Sequence, residues 1–192
     1  MENPEKDDRH LIEQAQLNRD NFAAIFDKYF STIHNFIYRR TGDKQVAGDL
    51  CSDTFLKAYL HLDNFKWKGI GLSSWLFRIA NNEIYQHFRR QTITGKIFRL
   101  FQLREQTFQN NFQFKSKLEQ TEDKNELDEK FKFVLQCLKK LPVKYQEVLS
   151  LRYFEERSIK DIADILQKNE GTVKSLLSRG LRQLKELCHA TK

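Results

Sequence analysis

The chain has 192 residues, of which 40% are apolar, and its 33 lysines and arginines outnumber 26 acids to give a formal charge of +7. That length fits one or two small domains, and the positive balance points to a polyanionic partner. Two prolines, seven glycines and scarce apolar-polar alternation leave strands with little support, so the expected fold is all-α. Cys51, Cys137 and Cys188 are odd in number and lack ligand spacing, and the five histidines are scattered. A disulfide scaffold and a zinc site are therefore not expected, and no cofactor or metal is assigned. No apolar run reaches bilayer length, so membrane insertion is not expected and the protein is placed in the cytoplasm.

Residues 1–19 are acidic and polar and read as a mobile N-terminal segment. Residues 21–40 then repeat Phe22, Ile25, Phe26, Tyr29, Phe30, Ile33, Phe36 and Ile37 at helical spacing, an amphipathic helix closed by Thr41, Gly42 and Asp43. Arg39 and Arg40 fall in its last turn, where cations suit the helix dipole. Residues 45–62 form a second helix with two stripes. Ala47, Cys51, Phe55, Ala58 and Leu62 make a core face, while Asp49, Asp53, Leu56 and Leu60 line another side. Exposed leucines among acids form the kind of surface that docks a partner; a second contact inside a helical core is the competing reading.

The segment DNFKWKGIGL interrupts the helices and places Phe65, Lys66, Trp67 and Lys68 beside glycines, a composition suited to stacking unpaired bases over a basic track. Phe65 and Trp67 could equally plug the base of the domain. A third helix, capped by Ser73 or Ser74, buries Trp75, Leu76, Ile79, Ala80, Ile84 and Phe88 and carries the polar line Arg78, Asn82, Tyr85 and Arg89, flanked by Asn81, Gln86 and Arg90. Residues 64–118 hold ten lysines or arginines against only Glu83 and Glu105. Amide, phenol and guanidinium groups along one face suit a nucleic-acid strand. The pattern then loosens, and residues 93–123 read as a flexible linker, with a short amphipathic helix around Ile97, Phe98, Leu100, Phe101 and Leu103.

A second small domain, a four-helix unit, follows. Leu127, Phe131, Val134, Leu135 and Leu138 mark its first helix, and Pro142 opens the next, bearing Tyr145, Val148, Leu149 and Tyr153. Its remainder, RSIKDIADILQKNEGTVKSLLSR, has helix-turn-helix spacing. Ser158 and Asp161 form a capping box ahead of Ile159, Ile162, Ala163 and Leu166, and Lys168 to Gly171 break the pattern. A last helix turns Val173, Leu177, Leu181 and Leu184 inward and Thr172, Lys174, Ser175 and Arg179 outward. A helix so equipped fits the major groove with its N-terminal residues on base edges, while the preceding helix, with Ser158 and Lys160, braces the backbone.

Taken in order, AGDLCSDTFLKAYLHLDNF, WLFRIANNEIYQHFRR and LPVKYQEVLSLRYFEERSIKDIADIL followed by GTVKSLLSRGLRQL resemble bacterial RNA polymerase sigma factors of the extracytoplasmic-function group. The resemblance covers residues 20–92, a region 2-like domain that docks on core RNA polymerase and melts the promoter −10 element. It also covers residues 124–187 of a region 4-like domain, 124–192, that binds the −35 element. It implies polymerase contact by Asp49, Asp53, Leu56 and Leu60 and melted-strand contact by Phe65, Lys66, Trp67, Lys68, Asn82, Gln86, Arg89 and Arg90. Duplex contact falls on Ser158, Lys160, Thr172, Lys174, Ser175 and Arg179. Gly48, Ser52, Gln86, Gln167 and Leu176 stand where the family commonly has other residues. Partners implied are core RNA polymerase, promoter DNA and an anti-sigma factor. Nothing in the chain offers a P-loop or a nucleophile with its base, so it is not read as an enzyme. The rival readings are a stand-alone helix-turn-helix regulator of duplex DNA and a thiol hydrolase using Cys51 or Cys137.

Overall fold

The computed structural model describes residues 4–67, 70–104 and 126–190, and all the regular secondary structure among them is helical. In chain order come α1 (Pro4–Leu17), α2 (Phe22–Thr41), α3 (Lys44–His61), α4 (Leu72–Arg104), α5 (Glu126–Lys140), α6 (Val143–Tyr153), α7 (Ile159–Leu166) and α8 (Glu170–Ala190). Short 3-10 turns at Arg19–Asn21 and Leu62–Asn64 follow α1 and α3. The expected all-α architecture with two helical units is present.

In the N-terminal unit α2, α3 and the first turns of α4 pack around Ile25, Ile33, Phe36, Ile37, Ala47, Cys51, Phe55, Ala58, Leu76, Phe77, Ala80 and Ile84, all buried. Phe36 and Phe77 meet edge to face at 5.0 Å, which fixes α2 against α4. Helix ends follow the sequence signals. Gly42, at φ +73°, ends α2 by donating its N–H to the Tyr38 carbonyl at 2.7 Å. Asp43 then starts α3 by accepting from the N–H groups of Gln45 and Val46 at 2.8 and 3.0 Å.

Two elements differ from the sequence expectation. The segment read as mobile forms α1, whose Ile12 and Ala15 are buried in the core. Polar contacts hold it as well: Asp8, itself buried, accepts from the Tyr29 hydroxyl at 2.7 Å and from Lys28 Nζ at 2.8 Å. An acidic helix thus docks through one satisfied carboxylate. The second difference is α4, which runs 33 residues to Arg104, well beyond the expected domain end at 92. The rest of the segment read as linker lies outside the described residues, as does Lys68.

In the C-terminal unit α6 and α8 cross at Gly180, where a Cβ would sit 3.2 Å from the Tyr145 Cβ. The buried face of α8 is close to the expected stripe but differs at two positions. Val173, Leu176 and Leu177 are buried, whereas Leu181 is 41% exposed. Leu176 is therefore a core residue and not a substituted contact on the reading face. The turn between α7 and α8 depends on Gln167, which adopts φ +53° in the left-handed region. A side chain there costs about 1–2 kcal/mol relative to glycine, offset in part by the extra freedom glycine gives the unfolded chain. Gln167→Gly should raise the unfolding free energy in urea by about 0.5–1 kcal/mol; an unchanged or lower midpoint would show that the turn is unstrained.

The two units lie against each other through a polar seam. Arg39 Nη1 pairs with Glu155 Oε1 at 2.7 Å, and Arg78 Nη2 donates to the Asp164 carbonyl at 2.5 Å. In the opposite direction Arg157 donates to Ser73 Oγ at 2.6 Å and stacks 4.7 Å from the Phe77 ring centroid. Arg40 is fully buried, donates to Asn81 Oδ1 and reaches Glu147 only at 4.0 Å. Burial lowers the Arg40 pKa to about 10, against the opposing pull of Glu147. It stays charged at neutral pH with Nε and Nη2 lacking hydrogen-bond partners.

Candidate nucleic-acid interface and docking face

The helix-turn-helix is built by local hydrogen bonds that sequence spacing announces. Asp161 N–H donates to Ser158 Oγ at 3.1 Å and Ser158 N–H donates to Asp161 Oδ2 at 3.2 Å, closing the capping box. Asn169 caps α8 by accepting from Thr172 N–H at 2.8 Å, a more specific role than that of a turn residue. These caps present the first turns of α8 at the surface. Thr172, Lys174 and Arg179 are exposed, and Ser175, half-buried, donates its hydroxyl to the Thr172 carbonyl at 2.9 Å. Lys174 lies 3.9 Å from Glu170, both well exposed, a pair too solvated to hold the ammonium back from phosphate. On the preceding helix Lys160 is exposed, whereas the Ser158 hydroxyl is committed to its cap.

The polar line of α4 is only partly a free surface. Asn82, Gln86, Arg89 and Arg90 are exposed, as is Tyr85 at 52%. Arg78, which the spacing places on the same line, is drawn to α7, and Asn81 is buried beneath Arg40. Glu83, the one acid of the stretch, is also buried and neutralised by Lys57 at 2.6 Å. The outward surface of this helix therefore presents amides, a phenol and guanidinium groups with that carboxylate removed.

Ahead of α4 the loop residues divide. Phe65 is buried, with its ring 4.9 Å from Trp75 and 6.1 Å from Trp67, so it is the plug of the two alternatives and is not placed to stack on a base. Lys66 is exposed and Trp67 half-buried. Helix α3 carries the other surface. Asp49 and Asp53 are exposed, and Leu56 and Leu60 show 56% and 60% of their area on the same outward side. Two leucines this open, held on a capped helix, are not core residues of the chain itself and leave an exposed apolar stripe beside the two acids.

Burial pushes the Cys51 thiol up to about 11, the reverse of an activated nucleophile. Among the described residues no cluster of three His, Cys, Asp or Glu could hold a metal ion, and no helix is long and apolar enough to cross a membrane.

Comparison with known proteins bears on the arrangement as a whole. Residues 25–93 match the family described as Sigma-70 region 2, and residues 134–184 match Sigma-70, region 4; together they cover more than half of the chain. The ECF RNA polymerase sigma factor SigM of Bacillus subtilis is 30% identical over 167 residues, covering 85% of this chain and 92% of SigM. The ECF RNA polymerase sigma factor BldN of Streptomyces coelicolor is 31% identical over 179 residues, which span 92% of this chain but 64% of BldN. The fold is shared with CnrH, solved in complex with the cytosolic domain of CnrY, at a TM-score of 0.68 and 20% identity, covering 96% of this chain and 99% of CnrH. Region 2 removes the stand-alone regulator from consideration, because that reading accounts for the helix-turn-helix alone. With both regions present in order, the chain belongs to the extracytoplasmic-function group of RNA polymerase sigma factors, non-enzymatic proteins that direct polymerase to promoters.

Proposed function

We propose that promoter selection by this sigma factor is divided among three surfaces. Asp49, Asp53, Leu56 and Leu60 dock on core polymerase; Asn82, Gln86, Arg89 and Arg90 with Lys66 and Trp67 hold the melted −10 strand; and Thr172, Lys174, Ser175 and Arg179, braced by Lys160, read the −35 duplex. Lys68 belongs to the melted-strand set by sequence, Phe65 supports it from within the core, and Ser158 contributes by fixing α7. The observation that carries the reading is the separation of apolar-acidic and basic-amide faces onto different helices.

The docked arrangement of the two units then belongs to the protein off its promoter. Helix α8 packs on α7 and α7 on α4, and packed helix axes lie about 8–10 Å apart, so the axes of the two reading helices pass within about 20 Å of each other at most. Elements named −10 and −35 lie about 25 base pairs apart, or roughly 85 Å of B-form duplex. The polar seam must therefore part, and the 21 residues between α4 and α5 reach at most about 75 Å when extended. Burial pushes the Glu155 carboxyl up despite Arg39 and Arg157, so desolvation of that ion offsets part of what the pair contributes to the seam.

An anti-sigma partner is part of the same reading. A sigma factor RpoE of Bartonella quintana was solved with the anti-sigma factor NepR, at 24% identity and a TM-score of 0.62, covering 90% of this chain and 99% of RpoE. The open Leu56 and Leu60 face is the surface here that such a protein would mask. The site of action is the cytoplasm, where polymerase and promoter are found.

Permanganate and nuclease footprints on a reconstituted polymerase complex test the division. Arg89→Ala with Arg90→Ala should abolish reactive thymines in the downstream element and keep upstream protection, while Arg179→Ala should weaken upstream protection about tenfold or more. Loss of both signals together in either variant would contradict the assignment.

A further inference from the structure

Helix α1 lies outside residues 25–93, the part that matches region 2, yet it grips the backbone leading into the strand-facing loop. Gln16 Nε2 donates to the Leu62 carbonyl at 2.9 Å and to the Phe65 carbonyl at 3.3 Å. One amide thus ties together the two ends of the 3-10 turn Leu62–Asn64 and fixes the point from which Lys66 and Trp67 project. The Arg9 guanidinium lies 5.7 Å from the Trp67 ring centroid, a cation placed over the indole face. Arg19, just after α1, donates to the Tyr59 carbonyl at 2.6 Å and pairs with Asp63 inside the same turn. The helix is itself anchored to α2 through Asp8, Lys28 and Tyr29, so the grip is referred to the domain core.

We infer that α1 is a positioning element for melted-strand capture, in which Gln16 sets the path of the loop and Arg9 holds the Trp67 ring. The inference rests on the reading that Lys66 and Trp67 meet the unpaired strand. Its physical basis is preorganisation: a loop already held in one conformation loses less entropy when the strand arrives. A carbonyl pair can be held this way only by a donor, so the chemistry of residue 16 matters beyond its size.

The test uses polymerase reconstituted with the full chain and a promoter selected by that complex, carrying 2-aminopurine in the downstream element. Gln16→Met keeps length and removes the donor; strand opening should fall about tenfold, the effect expected of two lost hydrogen bonds. Polymerase affinity and upstream duplex protection should stay at the parental level. Gln16→Lys restores a donor of similar reach and should recover most of the opening signal, and Arg9→Ala should lower it several-fold. Trp67→Ala serves as the control for the underlying reading. Parental opening by Gln16→Met while Trp67→Ala is impaired would overturn the positioning role and leave the capture reading intact. Equal loss by the Met and Lys variants would reduce Gln16 to a packing residue and also overturn it. A silent Trp67→Ala would overturn the capture reading and the proposal with it.

Discussion

Replacing Leu56 and Leu60 together by aspartate should lower the affinity for core polymerase by at least a hundredfold, while the thermal unfolding of the free protein barely moves. Both side chains are more than half exposed, so the substitution removes little from the core, and changes at such sites typically stay within about 0.5 kcal/mol. At a docking interface the same change acts twice. It deletes two apolar anchors, each worth roughly 1.5–3 kcal/mol when fully buried, and it desolvates new carboxylates beside Asp49 and Asp53 on the same stripe. Fluorescence anisotropy of labelled chain titrated with core polymerase measures the loss. Retained affinity would move the docking face elsewhere, and a parallel drop in unfolding temperature would show that the leucines belong to the fold.

The second large effect concerns the seam between the two units. Glu155 has a side chain only 6% exposed and meets Arg39, which keeps 29% of its surface. Breaking a buried pair by removing one partner costs about 3–5 kcal/mol, and the partial exposure of Arg39 brings this nearer 2. Glu155→Arg adds repulsion from Arg39 and from Arg157, so a docked population should become a predominantly separated one. Distance measurements between fluorophores on the two units should show this, and Arg39→Glu combined with Glu155→Arg should restore docking, because the charges are exchanged and not deleted. Separation that persists in the double variant would mean that the pair itself does not hold the seam. The separated variant should bind duplex promoter with polymerase at least as well as the parent.

Much of this was legible in the sequence, for reasons that are local. A capping box needs two residues three apart, and Ser158 with Asp161 forms one; an outward stripe needs only helical spacing, and α3 shows it in Asp49, Asp53, Leu56 and Leu60. What escaped depended on distant partners. Arg39 and Arg40 look like dipole partners at the end of α2, but they are turned to Glu155 and Glu147, more than a hundred residues away. The acidic start of the chain looks unable to pack until Tyr29 and Lys28 are seen to satisfy Asp8. Phe65 offered two readings that only its burial against Trp75 separates. On α8 the spacing places Val173 and Leu177 inside correctly, but it does not show that Leu176 is buried too while Leu181 stays 41% exposed beside the close approach of α6 at Gly180.

Run-off transcription with core polymerase on a randomised promoter library tests the central claim most directly, since it asks whether the chain confers promoter choice through polymerase. The account predicts that polymerase alone yields no selected class, that adding the chain enriches promoters sharing both an upstream and a downstream element, and that the Leu56 and Leu60 double variant enriches none. Enrichment of the upstream element alone, or sequence-specific DNA binding by the chain that is indifferent to polymerase, would contradict it.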